Sequence, residues 1–273
     1  MTIAATGNRM TYEIARQQRL ASDLNKTQTQ ISTTKRIALP SDDVAGATRV
    51  SRLVRDTSDT GVWTKNLNLA QSLASQADTA LQSMSDITVR ARETMVSATN
   101  GTLTDSDRKT QALALRAMAA DIRQLRGTQS SLGQPLFAAN NAIAIPIGAG
   151  EAVQPVATAS GAFGTLDARL EAAAAAVEAG DTTAMGNALN DMKSAVEEAS
   201  FTVADHGLRA ASIDKALDRL AVRQTDVTAE QSSIEDTDIT SAVAKLNAQT
   251  ITLEAAQAAF ARINRRTLFD ILG

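Results

Sequence analysis

The chain has no cysteine and a single histidine, which excludes disulfides, thiolate nucleophiles, cysteine-bound metals and histidine-rich metal sites. Aromatic side chains are nearly as scarce, with one Trp, one Tyr and five Phe in 273 residues. Interiors must therefore be built from Ala, Leu, Ile, Val and Met, which suits narrow helix–helix seams better than a bulky core. There is no excess of positive charge: the formal net charge is -3, so no basic field attracts nucleic acid and no such partner is expected. No apolar run approaches the roughly 18 residues of a membrane-spanning helix, so membrane insertion is not expected either. Residues Met1 to Arg9 lack the charged start and apolar core of a cleaved signal peptide, so any route out of the cell uses neither.

What the chain does have is helical periodicity. A first helix is predicted from Asn8 to Arg36, with Leu20, Leu24 and Ile31 on one face and Lys35 and Arg36 as cations at its C-terminus. Pro40-Ser41-Asp42-Asp43 breaks it and caps a second helix. That helix carries a seam through Trp63, Leu67, Ala70, Ala74, Ala77, Leu81, Met84, Thr88, Ala91 and Met95. The spacing alternates four and three, a 3.5-residue period that keeps one stripe toward a partner helix. Asn100-Gly101-Thr102 ends it, and Thr104 or Asp105 caps a third helix bearing Leu115, Met118, Ile122 and Leu125.

Between Gly127 and Gly164 prolines and glycines cluster around Ala142-Ile143-Ala144-Ile145, predicting one or two small β-hairpins that turn near Gly148-Ala149-Gly150. A short helix follows from Leu166 to Glu178 and stops at Gly180. The longest periodic stretch then runs from Met185 through Leu189, Met192, Val196, His206, Ile213, Leu217 and Leu220 to Ile234. A helix of that length spans roughly 75 Å at about 1.5 Å per residue, which predicts a rod. Asp236-Thr237-Asp238 breaks the register before a final helix with Ile239, Val243, Leu246, Leu253 and Phe260 on one side.

The expected fold is mainly α: an elongated rod of long antiparallel coiled-coil helices, paired N- and C-terminal helices and a small central β-hairpin region. Three parts are expected, residues 1–40 with 236–273, residues 41–126 with 165–235, and residues 127–164. The rod seam is read at Leu67, Leu81, Met84, Leu115, Ile122, Leu189, Val196, Ile213, Leu217 and Leu220. The terminal stripes have no globular core of their own, so they must pair with each other or with further copies of the chain.

Several segments resemble the bacterial flagellin family. Ile31-Ser-Thr-Thr-Lys-Arg-Ile37 followed by Leu39-Pro-Ser-Asp-Asp-Val-Ala-Gly46-Ala-Thr-Arg49 is similar to its N-terminal signature, and Arg92-Glu93 with Asn100-Gly101-Thr102 resembles its following helix and turn. Pro40, the stretch from Ala144 to Gly164, and the ending Phe260-Ala-Arg-Ile263 with Thr267-Leu-Phe-Asp-Ile-Leu272 resemble the branch that joins hook to filament more than the filament flagellins. The resemblance implies a non-enzymatic axial protein, exported by the flagellar type III apparatus and secreted into the extracellular flagellum. Its terminal helices would form the inner tube. The implied partners are other copies of itself, flagellin, a hook-side junction protein and an export chaperone; the alternative is a filament flagellin. Residues implied at the assembly interface are Leu20, Leu24, Ile31, Ile239, Val243, Leu246, Leu253, Phe260, Ile263, Leu268 and Phe269. Thr34 stands where the family has glycine, so a left-handed helix end there would be strained; Val44 and Thr94 replace a proline and a leucine.

No catalytic, cofactor or metal residue is assigned. His206 beside Asp205 has no converging nucleophile and reads as structural. Gly148-Ala149-Gly150 reads as a turn, and Asp42-Asp43 and Asp236 with Asp238 as helix-start acids. Gln224 and Gln231 either fix register or face solvent, while Arg90, Arg92, Arg116 and Arg123 either bridge subunits or are solvated surface charges.

Overall fold

The structure, a computed structural model, describes the backbone of residues 2–272 and the side chains of residues 10–262. Seven helices and two strands follow in order among these: α1 (Thr2–Thr33), α2 (Val44–Ala98), α3 (Asp105–Arg126), β1 (Ile145–Pro146), β2 (Ala152–Val153), α4 (Ala159–Phe163), α5 (Leu166–Ala179), α6 (Thr182–Glu235) and α7 (Ile239–Leu272). They form two compact units, residues 1–57 with 224–273 and residues 58–223. The expected boundaries near 40 and 236 lie inside the first unit, and residues 127–164 lie inside the second.

Local chemistry accounts for the helix ends. Aspartates stand at three starts: Asp43 accepts the Gly46 N–H at 2.8 Å, Asp181 the N–H groups of Thr183 and Ala184, and Asp238 those of Thr240 and Ser241. Thr104 and Asp107 close a reciprocal capping box on α3, whose last turn carries Arg123 and Arg126. Gly180 ends α5 in the left-handed conformation, φ 68°. The hairpin pairs Ile145 with Val153 and Pro146 with Ala152 in antiparallel register, and Ile147 N–H closes its turn on the Glu151 carbonyl at 2.9 Å.

In the second unit α2 and α6 run antiparallel: Gln71 meets Asp214 at 3.0 Å, and Ala74 meets His206 at 2.9 Å. Their seam is alanine-rich, with Ala70 and Ala77 fully buried beside Leu67, Leu81 and Met84, so the backbones lie close without large side chains. Packed along each other, α3 and α5 bury Leu115 and Ile122 with Leu170 and Val177. Burying each such side chain contributes about 1.5–3 kcal/mol. A ladder of charges borders this pair: Arg116 reaches Glu178 at 2.5 Å, Arg126 reaches Asp167 at 2.8 Å, and Arg123 pairs with Glu171. Phe137 and Phe163, both buried, meet edge to face at 4.9 Å.

Candidate assembly surface

In the first unit α1 and α7 pack along each other. A stripe of less exposed residues repeats at four and three: Glu13, Gln17, Leu20, Leu24, Thr27 and Ile31 on α1, with Ala15, Ala21 and Gln30 half-buried beside it, and Ala242, Leu246, Gln249, Leu253, Ala256 and Phe260 on α7. This is the 3.5-residue period of a two-helix seam. The pairing is antiparallel, since the Gln17 amide donates to the Ala256 carbonyl at 3.5 Å while Arg36 N–H donates to the Glu235 carbonyl at 2.6 Å beyond the other end. Burial in the seam is incomplete. Thr27 and Ala242 are buried, whereas Leu20, Leu24, Ile31, Leu246, Leu253 and Phe260 are half-buried.

Ile239 and Val243 remain exposed, at 41% and 40%. Ile239 keeps the seven-residue step to Leu246 but stands in the first turn, and Val243 sits one position off the stripe. Ile263, Leu268 and Phe269 lie outside the residues whose side chains are described. Further apolar side chains stay open to solvent: Met10, Tyr12 and Ile14 on α1 and Ile251 on α7. Of the expected rod seam, Leu67, Leu81, Met84, Leu115, Ile122 and Ile213 are buried, and Leu189, Val196, Leu217 and Leu220 are half-buried.

The connection between α1 and α2 folds against the break between α6 and α7. Helix α1 stops at Thr33, three residues before the expected Arg36, because Thr34 turns into the left-handed region at φ 58°. The glycine conformation is thus kept without glycine. Lys35 and Arg36 consequently lie beyond the helix and serve as cross-links. Lys35 Nζ meets Glu235 at 2.6 Å, and Arg36 reaches Asp43 at 3.2 Å and donates to the Ile234 carbonyl at 2.7 Å. Thr237 N–H donates to the Thr34 carbonyl at 2.8 Å. Asp42 accepts the N–H groups of Ala38 and Leu39 and pairs with Lys26 at 2.9 Å. Ile37 is buried against Gly46, where an added Cβ would stand 2.6 Å from the Ile37 Cδ1.

These contacts hold the carboxyls in their charged form. The Leu39 N–H and then Lys26 lower the pKa of Asp42, and the Gly46 N–H and then Arg36 lower that of Asp43. Lys35 followed by Gln231 lowers that of Glu235, and the Ser241 hydroxyl and N–H lower that of Asp238. Asp42, Asp43 and Asp238 are legible from the sequence as acids at helix starts, whereas Glu235 and its partner Lys35, 200 residues away, carry no local signal.

Five of the remaining polar candidates are tied into the scaffold. His206 is buried with Nε2 2.9 Å from the Ala74 carbonyl oxygen. Gln224 and Gln231 bond Thr228 and Glu235 of their own helix, and Arg116 and Arg123 pair within the chain. Among the described residues no group of three or more His, Asp or Glu is placed to hold a metal, and no helix is long and apolar enough to cross a membrane.

Comparison with known proteins places this arrangement. Residues 8–142 match the bacterial flagellin N-terminal helical region, and residues 189–272 match the bacterial flagellin C-terminal helical region. The chain is 32% identical over 117 residues to the B-type flagellin of Pseudomonas aeruginosa, covering 43% of this chain and 24% of that protein. It is 31% identical over 116 residues to flagellar hook-associated protein 3 of Escherichia coli, covering 40% of this chain and 34% of that protein. The matched segments thus span about a quarter to a third of these relatives. A solved structure from Vibrio parahaemolyticus, assigned there as a flagellar hook-associated protein, shares the fold with a TM-score of 0.60 at 19% identity, covering 71% of this chain and 100% of that one. With terminal helical regions matched at both ends and paired in one unit, the chain belongs to the bacterial flagellin family of flagellar structural proteins, which are not enzymes.

Proposed function

We propose that this chain is an axial subunit that self-assembles through α1 and α7 and connects the hook to the flagellin filament. The observation that carries the reading is the partly covered terminal seam. Leucines at Leu20, Leu24, Leu246 and Leu253 stay half-exposed, while Met10, Tyr12 and Ile251 face solvent beside them. Apolar surface of this kind gains about 25 cal/mol per Å² when a neighbouring copy covers it. Neighbouring copies, flagellin and a hook-side junction protein are the partners proposed at the two ends of the assembled ring. Export through the flagellar type III apparatus to the extracellular flagellum, with a dedicated chaperone, belongs to the same proposal and draws on the family likeness.

The hook-associated relatives favour the junction role, and the flagellin relatives favour a filament role. Electron microscopy of cells lacking this one gene, with an assay for flagellin shed into the medium, separates them. Bare hooks with abundant free flagellin are expected. Intact or merely altered filaments would assign the chain to the filament itself.

A further inference from the structure

Helix α6 carries two apolar stripes. One is the buried seam that includes Met192, His206 and Ile213. The other lies on the opposite side of the same helix: Phe201, Ala204, Leu208 and Ala211 are all exposed, with Phe201 at 75% and Leu208 at 72%. Their spacings of three, four and three make a second heptad seam that stays exposed among the described residues. Glu197 lies four residues before the stripe and Lys215 four residues after it. Both are exposed.

The stripe is complementary to itself when reversed. If a second α6 lies antiparallel with its Ala204 opposite Leu208 here, Phe201 falls opposite Ala211 and Glu197 opposite Lys215. Large faces small in every apolar layer, and opposite charges meet at both ends. A parallel in-register pair would instead stack Phe on Phe, Glu on Glu and Lys on Lys. Asp205, at the edge of the seam near the two-fold, is already paired with Arg209 of its own helix at 2.7 Å. We infer that a second copy of this chain docks antiparallel on this face of α6, forming an isologous pair centred between Ala204 and Leu208.

Such a pair closes on itself and adds no further copies, so it is distinct from the head-to-tail growth of a filament and independent of the terminal helices. Four apolar residues per copy cover far less than the roughly 800 Å² per partner of a stable complex, so the pair is weak and concentration-dependent.

Charge exchange in the full-length chain tests the register. In sedimentation velocity across the micromolar range, Glu197→Lys and Lys215→Glu should each weaken dimerisation about tenfold, because two attractive contacts become repulsive. The double variant should recover most of the wild-type association. A wild-type chain that stays monomeric, or association indifferent to these changes, overturns the inference. Because the chain lacks cysteine, Ala204→Cys and Leu208→Cys give a second measurement. Oxidising a mixture of the two variants should yield the mixed disulfide dimer, with little dimer from either alone. Dimers of each variant with itself in preference to the mixed product, or no cross-link, would overturn it.

Discussion

The seam of the second unit and the seam of the first share a 3.5-residue period and differ in what they cover. In the second unit Leu67, Leu115, Ile122 and Leu170 are 0% exposed and sit among alanines that bring the helices close. In the first unit the equivalent positions Leu20, Leu24, Leu246 and Leu253 remain half-exposed. Periodicity sets which face a helix turns inward, but the number of elements packed on that face sets how much water it loses. A two-helix pair covers a stripe on one side only, whereas in the second unit α2, α3, α5 and α6 supply one common apolar cluster. Stability of the free chain is therefore concentrated in the second unit, and the first leaves more of its apolar stripe open to solvent.

The largest effect that would sharpen this contrast comes from paired truncations. Ile122→Ala removes a fully buried side chain and should cost about 3 kcal/mol in denaturant unfolding. Leu24→Ala removes a half-exposed one and should cost about 1 kcal/mol in the free subunit, while impairing incorporation into assembled structures. Equal costs in the free chain would show that the terminal seam is as well covered as the inner one.

Acid should separate the units next. Among the described residues, four of the five carboxyls with lowered pKa lie in the first unit, namely Asp42, Asp43, Glu235 and Asp238, and Asp107 lies in the second. Each is depressed below an ordinary value of 3.8 for the aspartates and 4.5 for Glu235, so around those values the unfolded chain binds more protons than the folded one. The stability these contacts contribute is fully present above those values and is lost as the pH falls through the depressed ones. Helical circular dichroism should accordingly decline during acid titration before the emission of Trp63, the one tryptophan, which lies in the second unit. Coincident transitions would mean that the contacts between the α1–α2 connection and the α6–α7 break add nothing in solution.

Much of this contrast was legible in the amino-acid pattern, because helix periods are local. The stripe from Met185 to Ile234 became α6, Thr182–Glu235, and the Pro- and Gly-rich stretch became the hairpin with its turn around Gly148-Ala149-Gly150. Depth of burial was not legible, since Leu24 and Leu115 look alike in a heptad and differ only in how many helices surround them. Nor were the pairs that join distant segments. Nothing near Arg116 announces Glu178, 62 residues away, and nothing near Arg36 announces the Ile234 carbonyl, 198 residues away. The second stripe of α6 was visible in principle, but reading for an inward seam assigns one face per helix and leaves the other unexamined.

The smallest expected effect concerns Thr34, where local preference and tertiary structure disagree. A β-branched residue at φ 58° bears a left-handed conformation that costs non-glycine residues roughly 1–2 kcal/mol. The Thr237 N–H on its carbonyl, the Lys35–Glu235 pair and the Arg36 contacts on either side of the break hold it there. Thr34→Gly relieves that strain but returns about 0.5–1 kcal/mol through the greater freedom of glycine in the unfolded chain. The Thr34 hydroxyl contributes little in exchange, since its bond to the Thr33 carbonyl at 2.7 Å is exposed. The net expectation is a gain of about 0.5 kcal/mol for the first unit, read as later loss of helical signal on acid titration, with Trp63 emission unchanged. Thr34→Ala keeps the strain and should give no gain. If Thr34→Gly instead destabilises the terminal pair, the left-handed turn is not what joins α1 to the α6–α7 break in solution, and the contrast between the units must rest on burial alone.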